Sequence, residues 1–332
     1  MASKTAQEVI PDGILQIGLI SNRYSGRNKK NLARIETYAA QQSHIIHHVV
    51  HTPADISTAL DDLAHRSVDI ITVNGGDGTV AATLTELFVR RPFPRLPLLA
   101  LLPGGTTNMT AADIGFRGNQ LSSLHRLGSW ARNRKKEIQH IQRHVLRVQS
   151  GTEEPVCGMF FGAGTITRGI EYCHANVHSL GLRDELGPGL TLLRTVWGIA
   201  RHDPRFAAPV PIAIGINQPP QDKPVNTVLL LVSSLERLFL GMHPYWGTES
   251  APLHFSLVTE RPARVLRALP ALLRGRPSRH VTRENGYISH NVSELHLLLN
   301  GTYTLDGELY EARLETGPVV ITSAGEAGFL RP

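Results

Sequence analysis

The chain has 332 residues, 41% of them hydrophobic and 19% charged, with a formal net charge of +6. This composition excludes a disordered or fibrous chain, and the length exceeds the usual size of one compact core, so two domains are expected. No run reaches about 18 uninterrupted apolar residues and the start lacks the apolar core of a secretory signal, which reads as a cytoplasmic protein.

The first third alternates short apolar runs with helical patterns. ILQIGLI (14–20), IIHHVV (45–50), DIITV (69–73) and LPLLALL (96–102) read as strands. Between them lie a stretch with Leu32, Ile35 and Ala39 at helical spacing and the stretch ADISTALDDLAH. Continuous apolar strands separated by helices argue for a doubly wound α/β domain with a parallel sheet covered on both faces. From about residue 138 the chain turns to dense, short, β-branched pieces: HVLRVQS, VCGMFFGAG, PVPIAIGI, TVLLLVSS, LHFSLV, ELHLLLN, YTLDGELYEA and PVVITSA. These predict a mostly antiparallel β domain with helices inserted near 186–200 and 263–274. The expected division is 1–136 and 137–332, with the linker at Arg132 to Lys136 and the extreme C-terminus packing back on the first domain.

Positive charge suits nucleic acid, an anionic membrane surface or a polyanionic small substrate. It is scattered in short clusters and no basic motif interleaves with aromatics, so a nucleic-acid partner is not expected. Cys157 and Cys173 are too far apart for a CxxC pair and too few for a zinc site. On a strand the side chains of His44, His47, His48 and His51 divide between two faces, and no acidic or cysteine partner is expected beside them, so they are a poor metal cluster.

Two strand-to-helix turns carry glycine clusters, Asn74-Gly75-Gly76-Asp77-Gly78-Thr79 and Pro103-Gly104-Gly105-Thr106-Thr107-Asn108. In a parallel sheet both emerge at the carboxyl edge, where ligands of doubly wound folds bind. Glycine lets the backbone approach a phosphate, and the N–H groups of a helix start favour anionic oxygens. Thr79 and Thr106 or Thr107 can donate hydroxyls or cap those helices. Two such loops at one crevice suggest a nucleoside triphosphate. Asp77, beside that cradle, is better explained by a divalent cation or a substrate hydroxyl than by packing.

The GGDGT loop followed by P-G-G-T-T-N resembles the diacylglycerol kinase catalytic domain, the family of bacterial diacylglycerol kinases, sphingosine kinases and ceramide kinases, more distantly related to NAD kinases and phosphofructokinases. SNRYSGRN, with Asn22, Ser25 and Gly26, resembles the family's N-P-x-S-G nucleotide loop, and the likeness covers roughly the first 130 residues. In the second half, FFGAGTITRGIEY (160–172) and Leu305-Asp306-Gly307-Glu308 resemble later family segments in the right order. The resemblance implies ATP with Mg²⁺, the nucleotide lying against Asn22, Ser25, Gly26, Gly75, Gly76, Gly78, Thr79, Gly105, Thr106 and Asn108. It implies that Asp77 assists at the phosphates and that Glu308 takes the proton from an attacking lipid hydroxyl. TYTL-DG-ELYE is also the pattern of a plain type I′ hairpin, the reading the residues alone favour, and only the resemblance and its position after the glycine loops point to the motif.

Three departures stand out. Val80-Ala81-Ala82 follows GGDGT where the family has x-N-E, and Met109 replaces an aspartate tied to the metal. Gln139, His140 and Ile141 stand where another aspartate is expected. Glu86 and Asp113 lie four residues after Ala82 and Met109, about 5 to 6 Å away on the same helix face, so they are candidates to restore metal binding, with Asp77 and Asp113 as the metal pair. The stretch 179–202, with Leu192, Leu193, Val196 and Trp197 against Arg183, Arg194 and Arg201, fits either a core-facing helix or one resting on a membrane surface. The expectation is an ATP-dependent lipid kinase meeting a diacylglycerol-like or ceramide-like lipid at the membrane surface, peripheral on its cytoplasmic face, with a homodimer left open. A soluble kinase of the NAD kinase type, and a nucleotide- or lipid-binding module that has lost turnover, are the alternatives.

Overall fold

The computed structural model describes residues 13–116, 118–133, 138–167, 209–221 and 223–332. The expected helix at 186–200, most of the expected linker, the end of the 160–172 segment and Cys173 lie outside these residues.

The N-terminal half is a parallel α/β unit. Strands β1 (Ile17–Asn22), β2 (Ile45–Val50), β3 (Ile70–Gly75) and β4 (Leu98–Pro103) run parallel in the order β2-β1-β3-β4. Alternate residues of one strand feed two cores. Ile17, Leu19, Ile70, Ala100 and Leu102 pack with Ile35 and Ala39 of α1 (Asn28–Ala40) and with Leu124 and Leu127 of α5 (Gln120–Asn133). Ile20, Ile71, Val73, Leu99 and Leu101 pack with Ile56, Leu60 and Leu63 of α2 (Pro53–His65) and with Val80 and Leu84 of α3 (Asp77–Thr85). Burial on both faces is why these strands read as unbroken apolar runs.

Helix α2 starts on a capping box, Thr52 accepting from the Asp55 N–H while Asp55 accepts from the Thr52 N–H. Helix α3 runs into a π-helical turn, Glu86–Arg90, that ends on Arg91 in the left-handed conformation, φ 54°.

The C-terminal half is antiparallel. β5 (Gln139–Ser150), β6 (Val156–Gly158), β7 (Phe160–Gly164), β8 (Val210–Ile216), β9 (Val225–Ser233), β10 (Leu253–Thr259), β11 (Tyr287–Val292), β12 (Glu294–Leu298), β13 (Gly301–Leu305) and β14 (Glu308–Ala312) join the same hydrogen-bonded sheet system. β15 (Val319–Arg331) ties the halves together. Its first residues pair antiparallel with β12, its whole length pairs antiparallel with β5 with a register shift at Ser323/Gly325, and Phe329 and Leu330 pair parallel with Leu99 and Ala100 of β4. The run PVVITSA shows only the first half of this strand, because Gly325 and Gly328 interrupt the pattern. Strand β11 and helices α4 (Met109–Asp113) and α5 carry weaker sequence signals and emerge only from the structure. Helix α6 (Val265–Arg274) lies within the long connection from β10 to β11.

Candidate active site

Strands β1, β3 and β4 end at one edge of the parallel sheet, so the loops after them meet there. A buried polar network beneath the loops fixes them together. Asn28 Nδ2 donates to the carbonyls of Asn22 (2.7 Å) and Asn74 (3.0 Å), and Gln120 Nε2 donates to Asn28 Oδ1 (2.7 Å) and Asn74 Oδ1 (2.6 Å). Asn74 Nδ2 donates to Ser21 Oγ (2.9 Å), which also meets His47 Nε2 at 2.8 Å. Ser21, Asn28, Asn74 and Gln120 are all buried. Such groups are held in place because each would be costly to bury unpaired. Ser21 and Asn28 bound the SNRYSGRN stretch and Asn74 opens the first glycine cluster, but the motifs assign none of them this linking role, and Gln120 falls in no motif. The available signal was polar residues closing otherwise apolar strands.

The two glycine loops pack on each other. A Cβ on Gly105 would stand 2.5 Å from Gly76 Cα, and one on Gly104 would stand 3.1 Å from Gly75 Cα. The Gly104 N–H donates to the Gly75 carbonyl, and the Arg27 N–H to the Gly104 carbonyl, each at 2.8 Å. Part of the glycine content is thus spent on backbone contact between loops. Asn22 Nδ2 donates to Thr79 Oγ1 at 2.9 Å, while Asn22 Oδ1 accepts from the Tyr24 N–H. Asn108, at φ 48°, clamps its own loop, accepting from the Gly105 N–H (2.8 Å) and donating to the Gly105 carbonyl (2.6 Å). Ser25 and Gly26 sit on the outer lip of the first loop, and Thr106 and Thr107 are exposed at the rim of the third.

Asp77 holds more than the open loop suggested. Its carboxylate accepts from the Met109 N–H (2.9 Å) and the Thr110 N–H (3.1 Å) and so caps the start of α4. Burial pushes its carboxyl upward, and these two N–H groups pull the other way. The expectation that it has nothing to pack against is therefore corrected.

The proposed compensation by Glu86 and Asp113 is corrected as well. Asp113 Oδ2 accepts from Arg143 Nε and Oδ1 from the Arg237 N–H, at 2.8 and 2.7 Å, with the carboxylate side chain fully buried. Its charge is neutralised and both oxygens are engaged, which leaves it unfit as a metal partner of Asp77. Glu86 pairs with Arg90 at 2.6 Å on the outer side of the π-helical turn. Ala82 and Met109, at the positions of the missing family acids, pack into the apolar core. The strand histidines divide among Gly128, Ser21, Asp62 and Asp55.

The late D-G-E sequence is a hairpin turn and also a site element. Leu305 pairs with Glu308, and both residues between them have positive φ, 50° at Asp306 and 94° at Gly307, the signature of a type I′ turn. Asp306 is buried and accepts from the Met159 N–H (2.8 Å) and the Phe160 N–H (3.0 Å), anchoring the turn to β7. Burial raises its carboxyl well above the usual range, and the charge of Asp77 adds to the rise. The turn thereby delivers Glu308 to the second glycine loop: Glu308 Oε1 would lie only 2.8 Å from a Cβ on Gly78.

The site thus sets the glycine loops of a parallel α/β half against a carboxylate from an antiparallel hairpin. Residues 16–143 match the diacylglycerol kinase catalytic domain, so the chain carries this domain, the one its motifs resemble. No curated protein matches it in sequence. Its fold is shared with a structure described as a diacylglycerol kinase from Bacillus anthracis str. Sterne, with a TM-score of 0.59 and 16% identity over 96% of this chain and 97% of that one. A second protein from that organism, provisionally given the same activity, superposes with a TM-score of 0.62 at 18% identity over the same shares of the two chains. The fold class read from the sequence, a parallel N-terminal sheet followed by an antiparallel β region, is that of these structures.

Proposed function

We propose that the chain transfers the γ-phosphate of ATP to a hydroxyl of a diacylglycerol-like or ceramide-like lipid. The observation that carries this reading is Glu308 over Gly78: a carboxylate from the far half of the chain is set beside the loop suited to triphosphate. The N–H groups at a helix start favour phosphate oxygens, and in α3 those of Thr79 and Val80 already donate to the Gly76 carbonyl, which leaves the earlier ones for a ligand. Thr79, oriented by Asn22, adds a hydroxyl at the same place.

The residues fit a metal carried in on the nucleotide better than a protein cage. Among the described residues no group of three or more His, Cys, Asp or Glu side chains forms a metal site. Mg²⁺ bound to phosphates needs only one or two protein carboxylates and keeps several waters. Asp77 would be the carboxylate to meet it, through the acceptor capacity its oxygens keep beside the Met109 and Thr110 N–H groups and with no arginine paired to it. When bound, the ion supplies neutralisation of charge on the phosphates.

Glu308 is exposed at the head of β14 and free to reach an acceptor hydroxyl. It takes the hydroxyl proton as the oxygen attacks the phosphorus, and the backbone amides of the loops hold the phosphate charge that develops. Asp306, already engaged with Met159 and Phe160, positions the turn and does not share in the proton transfer.

The test is Mg²⁺-dependent ADP release with ATP and a detergent-dispersed panel of diacylglycerol, monoacylglycerol, ceramide and sphingosine, with NAD as a soluble acceptor. Release with one lipid class that is lost in both Asp77→Asn and Glu308→Gln supports the reading. Release with NAD alone favours a soluble kinase. Tight ATP binding without release to any acceptor favours a binding module.

A further inference from the structure

We propose that the outer face of α6, with the arginine-rich segment that follows it, docks the protein on an anionic phospholipid bilayer. The proposal deepens the lipid-kinase reading and rests on it for its purpose.

Helix α6 carries two apolar stripes. Ala268, Ala271 and Leu272 turn inward against Val281, Tyr287 and Trp246. Leu266 and Leu273, seven residues apart and hence on one face, point outward at 55% and 36% exposure, with half-buried Leu269 between them. A helix held by its inner stripe has no folding reason for leucines on the outer one.

Between Glu260 and Glu284 the segment that carries this stripe is basic throughout. Residues 261–283 contain Arg261, Arg264, Arg267, Arg274, Arg276, Arg279 and Arg283 and no Asp or Glu, on a chain whose whole net charge is +6. Among the described residues, Arg264, Arg267, Arg274 and Arg276 form no ion pair. Arg267 and Arg274 are also seven residues apart, in a row beside the exposed leucines, and both are exposed. Exposed leucines flanked by unpaired arginines fit the boundary between acyl chains and anionic headgroups. Self-association through this face would bring the same arginines together, and nucleic acid would have no use for the leucines.

The position of the helix fits the role. Val258 of β10 packs against the same inner cluster, and the His243 N–H donates to the Leu273 carbonyl at 2.9 Å. Tyr245, just beyond, stacks on His254, which pairs with Ser233, itself opposite Phe160 of the strand that anchors Asp306. These contacts connect the helix, residue by residue, to the strand that anchors Asp306.

The experiment is co-flotation of the full chain with vesicles of phosphatidylcholine alone or of phosphatidylcholine with phosphatidylglycerol. It compares wild type with the pairs Leu266→Ser/Leu273→Ser and Arg267→Gln/Arg274→Gln, each checked for an unchanged melting temperature. Wild type is expected on the anionic vesicles only. The arginine pair is expected to weaken partitioning by about 10- to 30-fold and the leucine pair by about tenfold, while ADP release with detergent-dispersed lipid stays at the wild-type level. Wild-type binding to both vesicle types or to neither, or full binding by the leucine pair, overturns the proposal. So does loss of binding to a competing RNA in the arginine pair with none in the leucine pair. Vesicle binding does not require turnover, so failure of docking with intact ADP release leaves the kinase reading standing, and the reverse result separates the two in the other direction.

Discussion

The Glu308 carboxylate rests against the bare Cα of Gly78, its Oε1 only 2.8 Å from where a Cβ would stand. The contact joins residues from opposite halves of the chain and, in the proposed reaction, sets where the acceptor hydroxyl would be deprotonated. Gly78 lies in the first turn of α3, where alanine is well tolerated, and the atom it would meet is the end of a flexible side chain. Gly78→Ala is therefore expected to leave the melting temperature within a few degrees of wild type while lowering turnover by about 10²-fold through displacement of Glu308. Steady-state kinetics beside thermal unfolding check this.

Gly105 presents the opposite case. Its missing Cβ would meet backbone, Gly76 Cα at 2.5 Å, and backbone cannot swing aside. Gly105→Ala is expected to cost roughly 1–3 kcal/mol of stability and to weaken nucleotide binding as the two loops part. Denaturant unfolding and calorimetric titration with ATP measure the two effects separately.

Asp306 separates turn geometry from proton chemistry. Asp306→Ala leaves the N–H groups of Met159 and Phe160 unpaired in the interior and places alanine at φ 50°, a loss expected to total about 2–4 kcal/mol. Asp306→Asn keeps one acceptor and a residue that tolerates this backbone, so it is expected to recover part of the stability. Melting temperatures of the two variants give the comparison.

His47 sets a pH dependence. Burial, with the nearby His48, lowers its pKa from 6.5 to about 4 in the folded chain. Between those values the unfolded chain binds a proton that the folded chain does not. Stability is thus fully present above about pH 6.5 and falls as pH drops toward 4, by roughly 3 kcal/mol in all. Unfolding free energies across this window, in wild type and His47→Gln, are expected to show a shallower acid slope in the variant.

The parallel half was legible because each strand is buried on both faces and each helix keeps its spacing. IIHHVV coincides with β2, and Leu32, Ile35 and Ala39 are all buried. The positions of the glycine loops were legible for the same reason, since parallel strands leave their following loops at one edge. Their detailed use was not. Gly104 and Gly105 serve contacts to Gly75 and Gly76 that depend on the sheet bringing β3 beside β4, which spacing along one strand does not state. Asp77 as the cap of α4, and Asp113 as the partner of Arg143 and Arg237, depend on long-range contacts in the same way. The type I′ turn read from TYTL-DG-ELYE is present, and its geometry is what brings Glu308 to Gly78.

The central claim is that Glu308 activates a lipid hydroxyl for attack on ATP. Its most direct test is recovery of label in the extracted lipid after incubation with γ-labelled ATP, Mg²⁺ and detergent-dispersed diacylglycerol or ceramide, for wild type and Glu308→Gln. The account predicts labelled lipid from wild type and a loss of about 10²- to 10⁴-fold in the variant, with the KM for ATP little changed. Labelled lipid formed equally well by Glu308→Gln, or no labelled lipid from wild type that binds ATP, would contradict it.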